Sequence, residues 1–391
     1  LKTQDHNFCT RPSLVGQQRL SYNRIDVVFA PYNDCFRELR KLCVVHLFSS
    51  KKVQYFHPIR REEVSKMIEK IYSLSSASNV VNLSELLVAL TSSITCRVAF
   101  GKRYEKEGVG RSKFHDLLNE TQAMFAEFFF SDYFPYVGSW VDKLSGLSSR
   151  LERIFKEMDD FYDEILRNHL DPNRPKSEHE DFVDVLLQLK KQRCFSFDLT
   201  LDHIKSLLMN IIVAGTDTSA AMVVWAMAEL IKDPGIMKKV QEELRSTFKN
   251  KIFIEETDLP KLEYFKAVVK ETLRLHPAAP LLVPHEAVQK CTMQGYDILP
   301  GTLVFINAWA IGRDPVSWRD PELFMPERFL GNSINFTGQD FELIPFGAGR
   351  RMCPGMLMGM ASLELALANL LHTFDWKLPV GVNKEDIDCD V

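Results

Sequence analysis

The sequence predicts a mainly α-helical protein with a minor β part. Apolar residues recur at helical spacing through most of the 391 residues, and the segments Thr200–Lys232 and Met356–Thr373 carry almost no charge. Only between Leu281 and Trp309 does the pattern change to short β-branched and aromatic runs separated by Gly-Tyr and Pro-Gly turns, which favours a small sheet. We expect a single domain over residues 1–391, because the composition does not change along the chain.

The first half of the chain is predicted to hold three clear helices, at Arg60–Ser76, Leu83–Phe100 and Ser145–Leu170. Between the second and third lies a group of phenylalanines that either fills the core or forms the wall of an apolar pocket: Phe125, Phe128, Phe129 and Phe130. The polar residues from Asp171 to Glu180 include two prolines and predict an exposed loop.

The second half contains the longest predicted helix, Thr200–Lys232, which would extend roughly 50 Å at 1.5 Å per residue. Asp217 is its only charge between Lys205 and Glu229, so we expect this helix to be buried on all sides. Further helices are predicted at Pro234–Lys249, Asp258–Leu275 and Met356–Thr373, with an irregular stretch from Arg313 to Asp340.

Composition excludes several classes of protein. The 48 Lys and Arg against 52 Asp and Glu give a net charge of −4, which argues against a nucleic-acid partner. With 18 Gly, 18 Pro and 8 Cys, the chain is neither collagen-like nor a disulfide scaffold. The most apolar run, Leu207–Ala228, contains Asn210 and Asp217, and is therefore expected to be a buried helix rather than a membrane span.

The segment Phe346–Gly355 brings one cysteine to the start of an apolar helix. Pro354 suits a first helical turn, while free backbone N–H groups and the guanidinium groups of Arg350 and Arg351 would favour the thiolate of Cys353. Gly349 and Gly355 would allow a flat ligand or another backbone to approach. From these residues alone, Cys353 is an inert buried thiol, a nucleophile, a redox thiol or a metal ligand. Of the functional alternatives the metal ligand leads, and a single thiolate suggests haem iron.

The pattern Phe346-x-x-Gly349-x-Arg351-x-Cys353-x-Gly355 resembles the haem-binding signature of cytochrome P-450 monooxygenases. Three more segments resemble signatures of that family in the same order: Ala214–Ser219, Glu271–Arg274 and Pro326–Phe329. The resemblance is closest to plant microsomal members, and among them to the aldoxime-metabolising group.

This resemblance implies the cytochrome P-450 fold, with haem b between the long central helix and the helix that follows Cys353. Cys353 would be the axial thiolate ligand of the iron, which favours cleavage of the O–O bond. Phe346 would shield the sulfur, and Arg351 would pair with a haem propionate.

On the opposite side of the haem, Asp217 and Thr218 resemble the acid–alcohol pair that delivers protons to bound dioxygen. Gly215 would let the helix pass close to the haem face. Taken alone, the Thr218 hydroxyl is better explained by a bond to the carbonyl four residues earlier; the other motifs favour the functional role. Glu271, Arg274 and Arg328 resemble a buried structural network that braces the segment leading to Cys353.

The sequence departs from the family in two places that concern the propionates. Phe36 stands where relatives have Trp in the motif that ends at Arg40, so an indole N–H is lost while the guanidinium remains. His285 stands where relatives often have Arg, and we expect it to donate to a propionate in a pH-dependent way. An apolar substrate pocket is expected from Leu275–Val283 together with five residues of the central helix: Met209, Ile212, Val213, Ala214 and Thr218.

The resemblance implies insertion of one oxygen atom from O2 into a small apolar or aromatic plant metabolite. Electrons would come from NADPH through a reductase carrying FAD and FMN, which would dock near Arg350 and Arg351. The expected location is the cytosolic face of the endoplasmic reticulum membrane. We expect the chain to be truncated at both ends, with the amino-terminal anchor and the carboxyl-terminal hairpin of the family missing.

Two alternatives stay open at this stage. One is a haem-thiolate isomerase or dehydratase that needs no electron donor, although such relatives typically lack the acid–alcohol pair that Asp217 and Thr218 resemble. The other is a truncated, non-catalytic chain.

Overall fold

The computed structural model describes residues 2–77, 79–104, 113–175, 179–193, 195–387 and 389. The α-helices in these ranges are α1 Val15–Leu20, α2 Asp34–Leu42, α3 Ser50–Tyr55, α4 His57–Ser76, α5 Leu83–Phe100, α6 Lys113–Ala126, α7 Phe130–Tyr133, α8 Gly138–Leu144, α9 Leu147–Leu170, α10 Phe182–Gln192, α11 Leu201–Lys232, α12 Pro234–Thr247, α13 Glu263–Leu275, α14 Ala308–Ile311 and α15 Met356–Thr373. A π-helical turn at Cys43–Leu47 continues α2.

The minor β part lies where the sequence predicts it. Two antiparallel pairs form there, β1 (His285–Glu286) with β4 (Leu303–Val304), and β2 (Cys291–Met293) with β3 (Tyr296–Ile298). His285 pairs with Val304 in the first, and Thr10 near the amino terminus bridges to Glu286. This bridge brings the start of the chain beside β1.

The core is built around α11, which packs against α5 on one side and against α15 on another. By length and composition all three helices could cross a membrane, including the one that contains the run Leu207–Ala228. In the structure, 67% of the apolar window of α5, 56% of that of α11 and 61% of that of α15 is buried inside the protein. Their apolar surface therefore serves the core.

The boundaries of α11 and α15 agree closely with the sequence. Thr200 caps α11, because its hydroxyl accepts from the backbone N–H of His203 while the His203 ring accepts from Thr200 N–H. The expectation that α11 is buried on all sides was wrong. Midway along the helix, Ala214 and Thr218 are exposed, because this face borders a cavity.

Two other predicted helices begin later than the sequence predicts. The helix predicted at Ser145–Leu170 begins at Leu147, because its N-cap residue Gly146 adopts a left-handed conformation (φ 79°). In Asp258–Leu275 the helix begins only at Glu263, after a 3-10 turn at Leu259–Lys261. Asp258 cannot cap it, because its carboxylate accepts from Glu255 N–H and Lys251.

The phenylalanine group does not form a pocket wall. Phe129 is buried and Phe125 stacks on Phe29 with ring centroids 5.1 Å apart, whereas Phe128 and Phe130 are exposed. The predicted loop 171–180 is irregular where it is described, and its residues 176–178 lie outside the described residues.

Candidate active site

A cavity of about 330 Å³ lies between the middle of α11 and the loop that precedes α15, within the size range of ligand and cofactor sites. Its wall is mainly apolar. Polar and charged groups converge at one part of it: Arg11, Arg40, His285, Arg351 and the thiol of Cys353.

Cys353 faces this cavity at the end of a closed loop. Its backbone N–H donates to the Phe346 carbonyl (2.9 Å), which fixes the turn. Burial raises the pKa of the Cys353 thiol, while the backbone N–H groups of Gly355 and Met356 and the charge of Arg40 act in the opposite direction. Arg40 is therefore the cation that acts on the sulfur, rather than Arg350 or Arg351 as predicted.

The neighbouring residues of the loop differ in part from the prediction. Gly349 has a left-handed conformation (φ 68°) that favours glycine, and a Cβ there would also lie 2.6 Å from an Asp5 carboxylate oxygen; the residue is not among those that line the cavity. Pro354 precedes the N-cap residue Gly355 and is outside the first turn of α15. Gly355 borders the cavity, and a Cβ on it would meet Cys353 Sγ at 4.0 Å.

Phe346 lines the same cavity and packs edge-on against Phe336, with ring centroids 5.6 Å apart. Arg350 points away from the cavity and pairs with Asp5 (2.9 Å). Because Arg351 is buried, only Arg350 remains on the surface where a reductase was expected to dock.

Three guanidinium groups meet at the polar part of the cavity. Arg351 donates through Nε to the Cys9 carbonyl (2.7 Å) and through Nη2 to the Ala30 carbonyl (2.6 Å). Its Nη1 is buried without a hydrogen-bond partner in the described part of the chain. Arg11 donates to the carbonyls of Val28, Val283 and Pro284 at 2.6–3.1 Å.

Burial lowers the pKa of Arg11 to about 9 and that of Arg351 to about 10. Repulsion from Arg351 and Arg40 adds to the pKa shift of Arg11. Repulsion from Arg40 and Arg24 adds to the pKa shift of Arg351. Arg40 also lines the cavity, and its pKa is lowered mainly by burial. A buried cation cluster of this kind, with a guanidinium nitrogen unsatisfied, fits a dianionic group such as the two propionates of haem. The thiol of Cys353 and the apolar walls complete a set of residues that fits haem.

Phe36, which stands where the resembled motif has Trp, packs against this cluster. The guanidinium of Arg351 lies over its ring at 3.7 Å from the centroid. Phe36 thus supports Arg351 by a cation–π contact while offering no N–H of its own.

His285 lines the cavity, and one of its two ring nitrogens is already bonded to the backbone. Its Nδ1 lies 2.6 Å from the Phe8 carbonyl and therefore carries a proton. Burial and the nearby charge of Arg11 lower the pKa of His285 to about 4. In the neutral ring Nε2 is an acceptor, and it becomes a second donor only when the ring is protonated, so donation to a propionate stays a pH-dependent prediction.

On the α11 side, Thr218 lines the cavity and its hydroxyl donates to the Ala214 carbonyl at 2.5 Å. Asp217 is half-buried and is not among the residues that line the cavity. Gly215 does line it, but a Cβ there would meet the Thr95 side chain of α5 at 3.2 Å. The glycine is therefore explained by helix packing.

The residues Glu271, Arg274 and Arg328 do meet. Arg274 is bidentate to Glu271, with Nε and Nη2 at 2.7 and 2.8 Å from its two carboxylate oxygens. Arg328 Nε and the backbone N–H of Met325 donate to the same carboxylate. Both guanidinium groups also bond carbonyls of residues 312–323, so the network joins α13 to the segment before the Cys353 loop.

Sequence reasoning missed Arg11, Asp26 and Asn210. Asp26 is fully buried, and Asn210 of α11 donates to its carboxylate at 2.8 Å. The polar residue in the apolar run of α11 was visible in the sequence, but its partner lies 184 positions earlier.

Comparison with known proteins shows similarity to one family along the whole chain. The family model described as Cytochrome P450 matches residues 1–391. The 6,7,8-trihydroxycoumarin synthase of Pastinaca sativa is 48% identical over 395 residues, covering 99% of this chain and 77% of the relative. The 5-OH-xanthotoxin synthase of Ammi majus is 47% identical over the same coverage, and cytochrome P450 71A1 of Persea americana is 48% identical over 99% of this chain and 78% of the relative.

Solved structures agree in fold. A zebra fish cytochrome P450 with abiraterone matches with a TM-score of 0.78 and 26% identity, over 96% of this chain and 83% of that one. A zebra fish cytochrome P450 with progesterone matches with a TM-score of 0.79 and 25% identity, over 97% and 85% of the two chains.

Proposed function

The chain belongs to the cytochrome P450 family, and from that premise we propose that it hydroxylates a small planar aromatic metabolite of the coumarin type. The family assignment makes it a plant haem-thiolate monooxygenase of secondary metabolism. One atom of O2 enters a C–H bond of the substrate and the other leaves as water. A redox partner delivers the two electrons, which derive from NADPH, and the two protons are taken up from solvent. The coumarin class is supported by the two relatives named for making 6,7,8-trihydroxycoumarin and 5-OH-xanthotoxin.

We assign the haem-binding residues mainly because the Cys353 thiol and the guanidinium cluster line the same apolar cavity. When bound there, haem would supply the chemistry that activates dioxygen. Cys353 would hold it through the thiolate, and Arg40 and Arg351 would hold the propionates together with Arg11. The unsatisfied Nη1 of Arg351 supports this role.

Seven other residues of the cavity and its surroundings receive narrower roles. Phe346 would shield the sulfur of Cys353, and Gly355 would keep space beside it. Thr218 would hold a proton or a water molecule on the substrate side, with Asp217 as the relay from outside the cavity. Glu271, Arg274 and Arg328 would brace the loop without touching the substrate.

For the redox partner we propose NADPH-cytochrome P450 reductase, with Arg350 as one contact on the protein surface. We place the enzyme on the cytosolic face of the endoplasmic reticulum membrane. The whole of residues 1–391 would form one catalytic domain around α11.

Two measurements test the proposal. The reduced protein with carbon monoxide should show the red-shifted Soret band of thiolate ligation, and Cys353→Ser should remove it while Cys291→Ser on strand β2 retains it. A histidine-type spectrum would contradict the ligand assignment.

The substrate class is tested by binding difference spectra and by NADPH-dependent turnover with a coumarin, an aldoxime and a terpenoid. We expect a hydroxylated product from the coumarin. Turnover of only the aldoxime or only the terpenoid would overturn the coumarin class while leaving the monooxygenase assignment intact.

A further inference from the structure

Backbone carbonyls in residues 26–30 accept hydrogen bonds from two guanidinium groups of the cavity. Arg11 donates through Nε to the Val28 carbonyl (3.1 Å), and Arg351 donates through Nη2 to the Ala30 carbonyl (2.6 Å). The position of this short segment therefore sets where two of the three guanidinium groups lie.

A second set of bonds attaches the same segment to the central helix. Asn210 of α11 donates through Nδ2 to the Asp26 carboxylate (2.8 Å) and accepts through Oδ1 from the Val27 backbone N–H (3.3 Å). The other oxygen of Asp26 accepts from the Phe29 backbone N–H (2.8 Å), which closes the segment on itself. Both side chains are buried, Asp26 completely, so each of these bonds is made without competition from water.

The segment and its anchor also form part of the cavity wall. Val27, Val28 and Asn210 line the cavity together with Ile211 and Ala214 of α11. Burying a carboxylate is costly unless it is paired, and burial raises the pKa of Asp26 to about 6 despite its hydrogen bonds. Apolar residues could fill the same space at lower cost, so the arrangement calls for a role beyond packing.

We propose that Asp26 and Asn210 are positioning residues for the substrate, because their bonds hold Val27 and Val28 against α11 and thereby set the shape of the apolar wall. The inference rests on the proposed function, in that it requires haem in the cavity and an apolar ligand beside it. The same five residues carry the carbonyls that orient Arg11 and Arg351. Residues 26–30 would thus affect both the fit of the substrate and the binding of the haem propionates.

The test uses the haem-loaded enzyme and two probes whose binding does not depend on the natural substrate. Imidazole reports access to the iron, whereas 4-phenylimidazole must also fit its ring against the cavity wall. For Asn210→Leu we expect the dissociation constant of 4-phenylimidazole to rise about tenfold, as for the loss of one ordering hydrogen bond, with imidazole changed by less than about twofold.

The exchanged pair Asp26→Asn with Asn210→Asp is the rescue variant. The new carboxylate can accept from the Val27 N–H and from the new amide, whose oxygen can accept from Phe29 N–H, so every bond has a partner. We expect its affinity for 4-phenylimidazole to return to within about threefold of the original enzyme, while each single substitution remains weak.

Asn369→Leu is the matched control. Asn369 of α15 joins its helix to a loop in the same manner, accepting from Ile254 N–H (2.9 Å) and donating to the Ile254 carbonyl (3.0 Å), but it does not line the cavity. It should lower thermal stability without separating the two probes. Equal loss of both probes in Asn210→Leu, or no rescue by the exchanged pair, would overturn the positioning role. Loss of the thiolate band in the unsubstituted enzyme would instead overturn the haem-thiolate assignment.

Discussion

Thr218 shows how one hydroxyl can serve both the helix and the cavity. Its proton is directed to the Ala214 carbonyl, while its oxygen faces the cavity as an acceptor. Thr216, two residues away, makes the same bond to the Ile212 carbonyl at 3.0 Å but is buried. The two residues thus differ in their access to the cavity and not in their effect on the helix.

This pair permits a controlled prediction. In Thr218→Ala the share of NADPH electrons that reaches product should fall by roughly tenfold, with hydrogen peroxide released instead, because a group that can hold a proton in the cavity is lost. Thr218→Ser and Thr216→Ala should stay close to the original enzyme. The measurement is NADPH consumption against product and peroxide, and equal uncoupling in both alanine variants would assign the effect to the helix.

His285 gives a prediction for pH. Its pKa of about 4 in the folded protein lies below the 6.5 of an unperturbed imidazole, so between these values the unfolded chain binds more protons. The contribution of neutral His285 to the free energy of unfolding is therefore complete above about pH 6.5. It is lost as the pH falls, by about 2 kcal/mol at pH 5.

In His285→Asn the amide can still donate to the Phe8 carbonyl, but it does not titrate. Urea unfolding between pH 7.5 and 5 should show a shallower decline in the free energy of unfolding for this variant. Parallel curves for the two proteins would show that another group causes the acid sensitivity.

At the scale of elements, α13 depends on a buried carboxylate shared by two guanidinium groups. Glu271 and Arg274 are wholly buried, and Arg328 nearly so. Glu271→Gln leaves two buried cations without their counter-charge, which costs roughly 3–5 kcal/mol. Glu263→Gln, an exposed position in the first turn of the same helix, should change stability by less than about 0.5 kcal/mol.

The readouts are the thermal midpoint and the haem content after purification. Because the network joins α13 to the segment before the Cys353 loop, Glu271→Gln should lower both. A lower midpoint with full haem content would show that the network stabilises the fold without bracing the loop.

Elements with local signals could be predicted from the sequence, and elements decided by distant partners could not. The run from Met356 to Thr373 forms a helix with the predicted bounds, because its own residues are apolar helix formers. The start of α13 was missed because Asp258 bonds residues of the preceding loop. In the same way, the role of Cys353 could be predicted from its local motif. The place of Arg11 in the site could not, because it depends on bonds to carbonyls up to 273 positions away.

At the scale of the whole molecule, the fold gathers three cations at one buried place although the chain carries a net charge of −4. Folding without a dianion at this place must work against the repulsion between Arg11, Arg40 and Arg351. Asp26 is the carboxylate that partly offsets it, through its attraction to Arg11 and Arg351. A bound dianion stabilises the folded form by mass action in addition to satisfying these charges.

Arg40→Gln should therefore act with opposite sign on the two forms of the protein. Arg40 makes no side-chain hydrogen bond within the described residues, and its charge repels Arg11 and Arg351. Its removal therefore relieves repulsion in the haem-free protein, where the thermal midpoint should stay or rise. In the haem-loaded protein one charge-assisted contact is lost, and haem should transfer to an acceptor protein about ten to a hundred times more readily. Arg37→Gln, an exposed position on the same helix that pairs with Asp34, should change neither form. If Arg40→Gln destabilised both forms alike, Arg40 would be a structural cation, and the balance between cluster and dianion would not govern the stability of this enzyme.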